Sequence, residues 1–239
     1  MKKLSNLNVK RVCCVTVAKV ASSAFVPSIK STHPEYETAH RHSLKYLEDI
    51  IADDATNSLV IVGVRNPLKR NVSYFFQTYA DKKRNDLQCP SNKFKGEKTF
   101  LMESEKILGF NSEELIDMFF DQSWHYTFNE WFREFFRITQ IDSVPFDKDL
   151  GYKLYPVKNN NWVLIYTFEQ LPANINRLAE FLEVDEILHT NNAKDRIYGD
   201  LYKDVCNKIE FPREYKEVLL DTEIMKYFYS EDKIKSMGL

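Results

Sequence analysis

Short apolar runs alternating with helix-patterned stretches describe an α/β fold with a central parallel sheet and a helix-rich second half. Three observations carry this expectation. Residues 11–18 (RVCCVTVA) and 59–64 are β-branched, nearly uninterrupted apolar runs, the pattern of strands buried on both faces. Each leads through a turn into apolar positions at helical spacing. A third strand-then-helix pair recurs at residues 162–168 and 172–182.

Taken in order, residues 11–18 give the first strand, residues 19–23 its turn and residues 24–31 a helix. Pro27 falls in the first turn of that helix, where a missing N–H does no harm. His33-Pro34 marks a break. Leu44, Leu47 and Ile51 place a helix over 43–52, and residues 59–64 form the next strand. From there Leu68, Val72, Phe75, Phe76 and Tyr79 share one helical stripe. Residues 81–98 are polar, contain Pro90 and Gly96, and read as a loop. Asn111-Ser112-Glu113-Glu114 is a helix-opening cap for a helix to about residue 121. A further helix over 124–138 carries Phe128, Trp131, Phe132, Phe135 and Phe136. Residues 145–151 read as a turn, and from Asn191 the chain is polar with short helical patterns.

The 239 residues suffice for one domain with a substantial core. No composition shift marks a boundary, so residues 1–239 are expected to form a single domain. A net charge of −2 gives no global attraction for nucleic acid or an anionic membrane, so any anion site must come from local arrangement. Four cysteines without a CxxC pair suggest neither a disulfide framework nor zinc. Cys13 and Cys14, adjacent in a strand, should point to opposite faces. A reducing, cytoplasmic location fits this usage. No apolar run is long enough for a membrane span, and residues 1–10 adjoin no signal-peptide core.

The chemistry concentrates after the first two expected strands. Lys19-Val20-Ala21-Ser22-Ser23-Ala24 puts a lysine ahead of a small-residue turn that opens a helix, where backbone N–H groups attract anions. The second run delivers Arg65 at its end, Pro67 starts a helix, and Ser73 follows eight residues after the arginine. A guanidinium fork and a hydroxyl so spaced can grip one phosphate from two sides. Taken singly, each has a plainer reading: a serine N-cap beside an exposed lysine, and a surface arginine with a serine bonding its own backbone. Two such sites at strand ends, where open α/β sheets keep their ligand crevice, suggest one ligand with two separated phosphates. The triphosphatase pattern GxxxxGK[ST] is absent, and no glycine precedes Gly63.

Together these segments resemble the sulfotransferases that use 3′-phosphoadenosine 5′-phosphosulfate, with the carbohydrate branch the nearest. The resemblance rests on Lys19-Val20-Ala21-Ser22-Ser23 and on Arg65-Asn66-Pro67-Leu68-Lys69-Arg70-Asn71-Val72-Ser73-Tyr74, which is similar to the family's RxPxxRxxSxY-like segment. Tyr166-Thr167-Phe168-Glu169-Gln170-Leu171 with Ala179-Glu180-Phe181-Leu182 looks like its late strand–helix element. Roughly residues 11–80 and 162–183 are touched. Pro145-Phe146-Asp147-Lys148-Asp149-Leu150-Gly151-Tyr152, Asn192-Ala193 and Phe228-Tyr229-Ser230 resemble bacterial capsular polysaccharide synthesis proteins, themselves sulfotransferase-like.

The resemblance implies a P-loop, nucleotide-kinase-like three-layer core. It implies that Lys19, Val20, Ala21, Ser22, Ser23 and Ala24 hold the 5′-phosphosulfate, and that Arg65 and Ser73 hold the 3′-phosphate. It further implies in-line transfer of the sulfuryl group to a carbohydrate hydroxyl, on capsular or other cell-surface polysaccharide, with no metal and no covalent enzyme intermediate. The family's first loop often has glycine where Ala21 stands, so Ala21 must keep to an allowed backbone region.

Such a transfer needs a base for the hydroxyl proton and positive charge where the leaving phosphate develops. Lys19 suits the second task. Among His33, His40, His42, His125 and His189, the His40-Arg41-His42 pattern resembles that of uronyl 2-O-sulfotransferases. In an extended segment residues 40 and 42 point the same way, which gives His42 as base and His40 as helper. Glu103, Glu130 and Glu134 are competing bases, and surface or capping histidines are the plainer reading. His125 reads as packing. Trp124, Phe128, Trp131 and Phe135 read as core, with part of the stripe able to stack on a sugar ring. The acceptor pocket is expected from residues 85–160 and the C-terminal third. Two alternatives stand beside this reading: a nucleotide kinase or triphosphatase on the same fold, against which the missing glycines argue, and a non-catalytic nucleotide-binding scaffold in polysaccharide assembly.

Overall fold

The computed structural model describes residues 3–80, 107–187 and 196–238. The expected loop over 81–98, Cys89, Glu103, His189 and Asn192-Ala193 lie outside them, as do the side chains of Tyr79 and Trp124. Among the described residues the chain is α/β, with one five-stranded sheet and ten α-helices.

The strands are β1 (Arg11–Val15), β2 (Glu37–Arg41), β3 (Ser58–Val64), β4 (Tyr152–Pro156) and β5 (Trp162–Thr167), in the spatial order β2-β1-β3-β5-β4. The pairs β1–β2, β1–β3 and β3–β5 are parallel. The β4–β5 pair is antiparallel, so the sheet is mixed rather than wholly parallel as expected. The short link between Pro156 and Trp162 explains this: a parallel return needs a crossover of a dozen residues or so, whereas an antiparallel one needs only a tight turn. β2 and β4 were not anticipated. Both are five-residue edge strands, and both are partly exposed, so neither carries the apolar run that marks a central strand. β1 also ends three residues short of expectation, because residues 16–18 leave the sheet.

The helices are α1 (Phe25–Thr32), α2 (Leu44–Ala52), α3 (Pro67–Ala80), α4 (Ser112–Phe120), α5 (Thr127–Thr139), α6 (Leu171–Leu182), α7 (Gly199–Lys208), α8 (Arg213–Leu220), α9 (Glu223–Phe228) and α10 (Glu231–Ser236). Cys14, Leu59, Ile61, Leu164 and Tyr166 pack with Phe25 and Ile29 of α1 and Leu178 and Phe181 of α6. Each such apolar side chain contributes about 1.5–3 kcal/mol on burial. The neighbouring Cys13 points the other way, its Sγ 3.5 Å from the Tyr46 hydroxyl of α2, which packs on α5. The adjacent cysteines thus face opposite sides of the sheet, as strand geometry requires. Caps fix helix starts where the residues foretell them: the Ser43 hydroxyl accepts from the Tyr46 N–H, and Asn111 and Glu114 form a reciprocal capping box.

The chain divides into two compact units. The first (Met1–Leu68, Tyr126–Asn191, Pro212–Leu239) holds the whole sheet with α1, α2, α5, α6 and α8 to α10. The second (Lys69–His125, Asn192–Phe211) holds most of α3 with α4 and α7. Its interior is aromatic: Phe75 meets Phe119 at 5.7 Å, and Phe76 meets Tyr202 at 5.2 Å between centroids.

Candidate functional site

Within the first unit, β1 is flanked by β2 on one side and β3 on the other. The chain therefore leaves the carboxyl end of β1 at a topological switch point, the place where α/β sheets open a crevice. Four carboxyl-terminal strand ends meet here, two more than the residues suggested. Residues 16–24 follow β1, His42 follows β2, Arg65 follows β3 and Phe168-Glu169 follow β5.

The loop after β1 is held in an unusual path. Lys19 (φ 72°) and Ala21 (φ 63°) both take the left-handed conformation, which costs a residue with a Cβ about 1–2 kcal/mol. Ala21 thus occupies the small left-handed region that a glycine would reach freely. Two contacts at Val20 help hold the path. The Tyr166 hydroxyl of β5 donates to the Val20 carbonyl at 2.5 Å, and Gly63 of β3 lies directly against Val20. A Cβ on Gly63 would stand 2.7 Å from Val20 Cγ2 and 2.7 Å from the Tyr166 hydroxyl. The loop then closes a 3-10 turn over Ser22–Ala24 and enters α1.

The serines differ in placement. Ser23 is half-buried, and Ser22 is buried beneath the loop. The Ser22 hydroxyl accepts from Thr16 Oγ1 at 3.0 Å and lies 2.9 Å from His40 Nε2. The Ser22 hydroxyl thus links the loop, through Thr16 and His40, to β2. The two histidines do share one side of β2, their ring centroids 4.9 Å apart. His42 Nδ1 lies 2.7 Å from the Thr16 carbonyl oxygen. A carbonyl only accepts, so Nδ1 carries a proton, and the neutral ring holds its basic lone pair on Nε2.

Arg65 reaches back from the end of β3 to the loop after β1. Its Nη1 donates to the Lys19 carbonyl at 3.0 Å, and its guanidinium stacks 4.3 Å above the Phe168 ring. Its Nε is buried with no hydrogen-bond partner. Asn66 caps α3, accepting the Leu68 N–H at 2.9 Å, and the Asn66 N–H donates to Glu169 Oε1 at 2.8 Å. The second oxygen of Glu169 accepts the Tyr229 hydroxyl at 2.7 Å. Ser73 lies further along α3, buried, and belongs to the second unit.

The other sequence candidates separate clearly. Glu134 is gripped by Arg137 at 2.6 and 2.8 Å, and that hydrogen bond holds its carboxyl below the usual range, making it a poorer base. Glu130 is exposed on α5. His33 donates to carbonyls at the end of α6. His125, in the second unit, is buried against Phe119, and burial lowers its pKa to about 4. Phe128 and Phe135 are fully buried, whereas Trp131 is half-exposed with its indole nitrogen 3.5 Å from the His42 carbonyl. Thr16 was given no role in the sequence, and Tyr229 was quoted only within Phe228-Tyr229-Ser230. Tyr166 and Glu169 lay within a quoted motif, but nothing in their spacing announced their partners.

Among the described residues no helix is long and apolar enough to cross a membrane. No family model matches the chain, and no curated protein or solved structure matches it significantly.

Proposed function

We propose that the protein is a sulfotransferase on a P-loop, nucleotide-kinase-like core, moving the sulfuryl group of 3′-phosphoadenosine 5′-phosphosulfate to a carbohydrate hydroxyl. One observation carries the reading. The loop after β1 and Arg65 come together, with Nη1 anchored on the Lys19 carbonyl and a buried Nε left without a partner. A buried, unpartnered guanidinium N–H costs free energy unless something accepts from it, and a phosphate oxygen is its strongest acceptor.

In this reading Lys19 and the backbone from Val20 to Ala24 hold the 5′ end, and Arg65 holds the 3′-phosphate. Ser73, which the resemblance pairs with Arg65, is tested separately because it lies in the second unit. His42 Nε2 takes the acceptor proton as the acceptor oxygen bonds to sulfur. The bond from sulfur to the 5′-phosphate oxygen breaks, and Lys19 offsets the charge developing on that oxygen. Adenosine 3′,5′-bisphosphate departs. His40, tied to Ser22, sets the position of the His42 ring.

A thermal-shift and calorimetric comparison tests the proposal. Adenosine 3′,5′-bisphosphate at a hundred times its Kd should stabilise the protein by about 2.7 kcal/mol, whereas ATP with magnesium should not. Stabilisation by ATP alone reverses the assignment in favour of a kinase or triphosphatase. Bisphosphate binding without sulfate transfer to any polysaccharide offered leaves a nucleotide-binding scaffold.

A further inference from the structure

Glu169 follows directly on Phe168, whose ring carries the Arg65 guanidinium. Yet among the described residues no carboxylate oxygen lies within 4.0 Å of that guanidinium. Both oxygens of Glu169 are instead taken by neutral donors, Oε1 by the Asn66 N–H at the start of α3 and Oε2 by the Tyr229 hydroxyl. Tyr229 arrives from between α9 and α10, far along the chain, and is 3% exposed. Burial, and then the charge of Glu169, hold its phenol well above the ordinary value, while the Arg65 charge pulls the other way. The phenol therefore keeps its proton and donates to Glu169, whose chain neighbour Phe168 carries the guanidinium on its ring.

We propose that Tyr229 is a positioning residue: it keeps the Glu169 carboxylate turned away from Arg65, so that no carboxylate competes with a phosphate for the guanidinium. The inference rests on the reading of Arg65 as a phosphate ligand. Its physical basis is competition. A carboxylate tethered beside an arginine acts at a high effective concentration, and a paired arginine is a weak anion receptor. By bonding Oε2, Tyr229 removes the competitor without removing the residue that fixes the start of α3. Glu169 and Tyr229 thereby tie the C-terminal segment to the anion site, a role that neither motif discloses alone.

The test combines calorimetry with adenosine 3′,5′-bisphosphate and a crystal structure of one variant without nucleotide. Tyr229→Phe should bind the bisphosphate about 10- to 100-fold more weakly than the parent, as Glu169 swings onto Arg65. Glu169→Gln should bind near the parent level, because a neutral amide keeps the bond to Asn66 but cannot pair with the guanidinium. Glu169→Gln/Tyr229→Phe should recover most of the lost affinity, a rescue that mere loosening of the C-terminal segment does not produce. In the Tyr229→Phe structure a Glu169 oxygen should lie within about 4 Å of the guanidinium. Unchanged affinity in Tyr229→Phe, or a double variant as weak as the single one with Glu169 still on Asn66, overturns the inference. A parent protein that binds no bisphosphate defeats the sulfotransferase reading, and the variant structure then decides the role of Tyr229 by itself.

Discussion

At the scale of single residues, the proposed reaction assigns binding and proton transfer to different groups. Arg65 touches the loop through Nη1 and keeps a buried N–H in reserve, while His42 is oriented by a backbone carbonyl that fixes which nitrogen is basic. These groups should fail in different ways. Arg65→Ala should weaken bisphosphate binding by about 1.5–3 kcal/mol, the worth of a charged hydrogen bond, and Ser73→Ala tests on its own whether the second unit contributes at all. His42→Ala should leave that affinity in place and lower kcat about 10²- to 10⁴-fold, the usual contribution of a general base. Paired titration calorimetry and sulfate-transfer assays check both halves. Near-normal turnover in His42→Ala moves the base elsewhere, and unchanged affinity in Arg65→Ala removes the arginine from the site. Lys19 and Arg65 were picked out because each follows a continuous apolar run, whereas His40 and His42 were picked out by their His-x-His pattern and not by the strand that carries them. The Glu169–Tyr229 bond was not legible, since the two lie sixty positions apart and only the packed chain brings them together. Nor was the burial of the Ser22 hydroxyl, which depends on β2 lying beside β1.

At the scale of elements, the loop after β1 owes its path to the strands beside it. Gly63 has no Cβ because Val20 fills that space, and Tyr166 ties Val20 down from the next strand. Gly63→Ala should therefore force Val20 outward, lower stability by about 1–3 kcal/mol as an overpacked core site, and loosen the anion loop. Urea denaturation and bisphosphate titration of the variant measure the two effects. Loss of stability with affinity intact would show that the loop holds its shape without this contact. The central strands were legible because their apolar runs are continuous. β2 and β4 escaped because an edge strand needs no such run: Glu37-Thr38-Ala39-His40-Arg41 is half-exposed, and its place comes from the backbone ladder with β1. The consequence bears on the proposed site, since β2 carries His40.

At the scale of the whole molecule, the α/β class followed from the three buried runs, whereas the mixed sheet turned on the short link before β5. The two units also carry separate chemistry. In the second, His125 is buried, Nε2 donates to the Phe119 carbonyl at 2.8 Å, and burial, aided by the Arg70 charge against that bond, lowers its pKa from 6.5 to about 4. The unfolded chain binds a proton below pH 6.5 that the folded ring refuses. Stability is thus complete above pH 6.5 and falls as the pH drops toward 4, by up to about 3 kcal/mol. Urea midpoints at pH 7, 5.5 and 4.5 should trace that decline, and His125→Gln should flatten it. An equal slope in the variant assigns the proton to another group.

The sheet's two borders bear on behaviour at high concentration. An unpaired strand edge is a template on which a second chain can continue the ladder, and long, flat, apolar edges are the ones that seed fibres. Here each border is five residues long. One carries Lys153 and ends at Pro156, which has no N–H to donate, and the other alternates Glu37 with His40 and Arg41. A stacking neighbour would have to desolvate those side chains, Glu37 with its Arg11 partner among them, so strand-by-strand addition is discouraged at both margins of the described sheet by the same short segments that complete it.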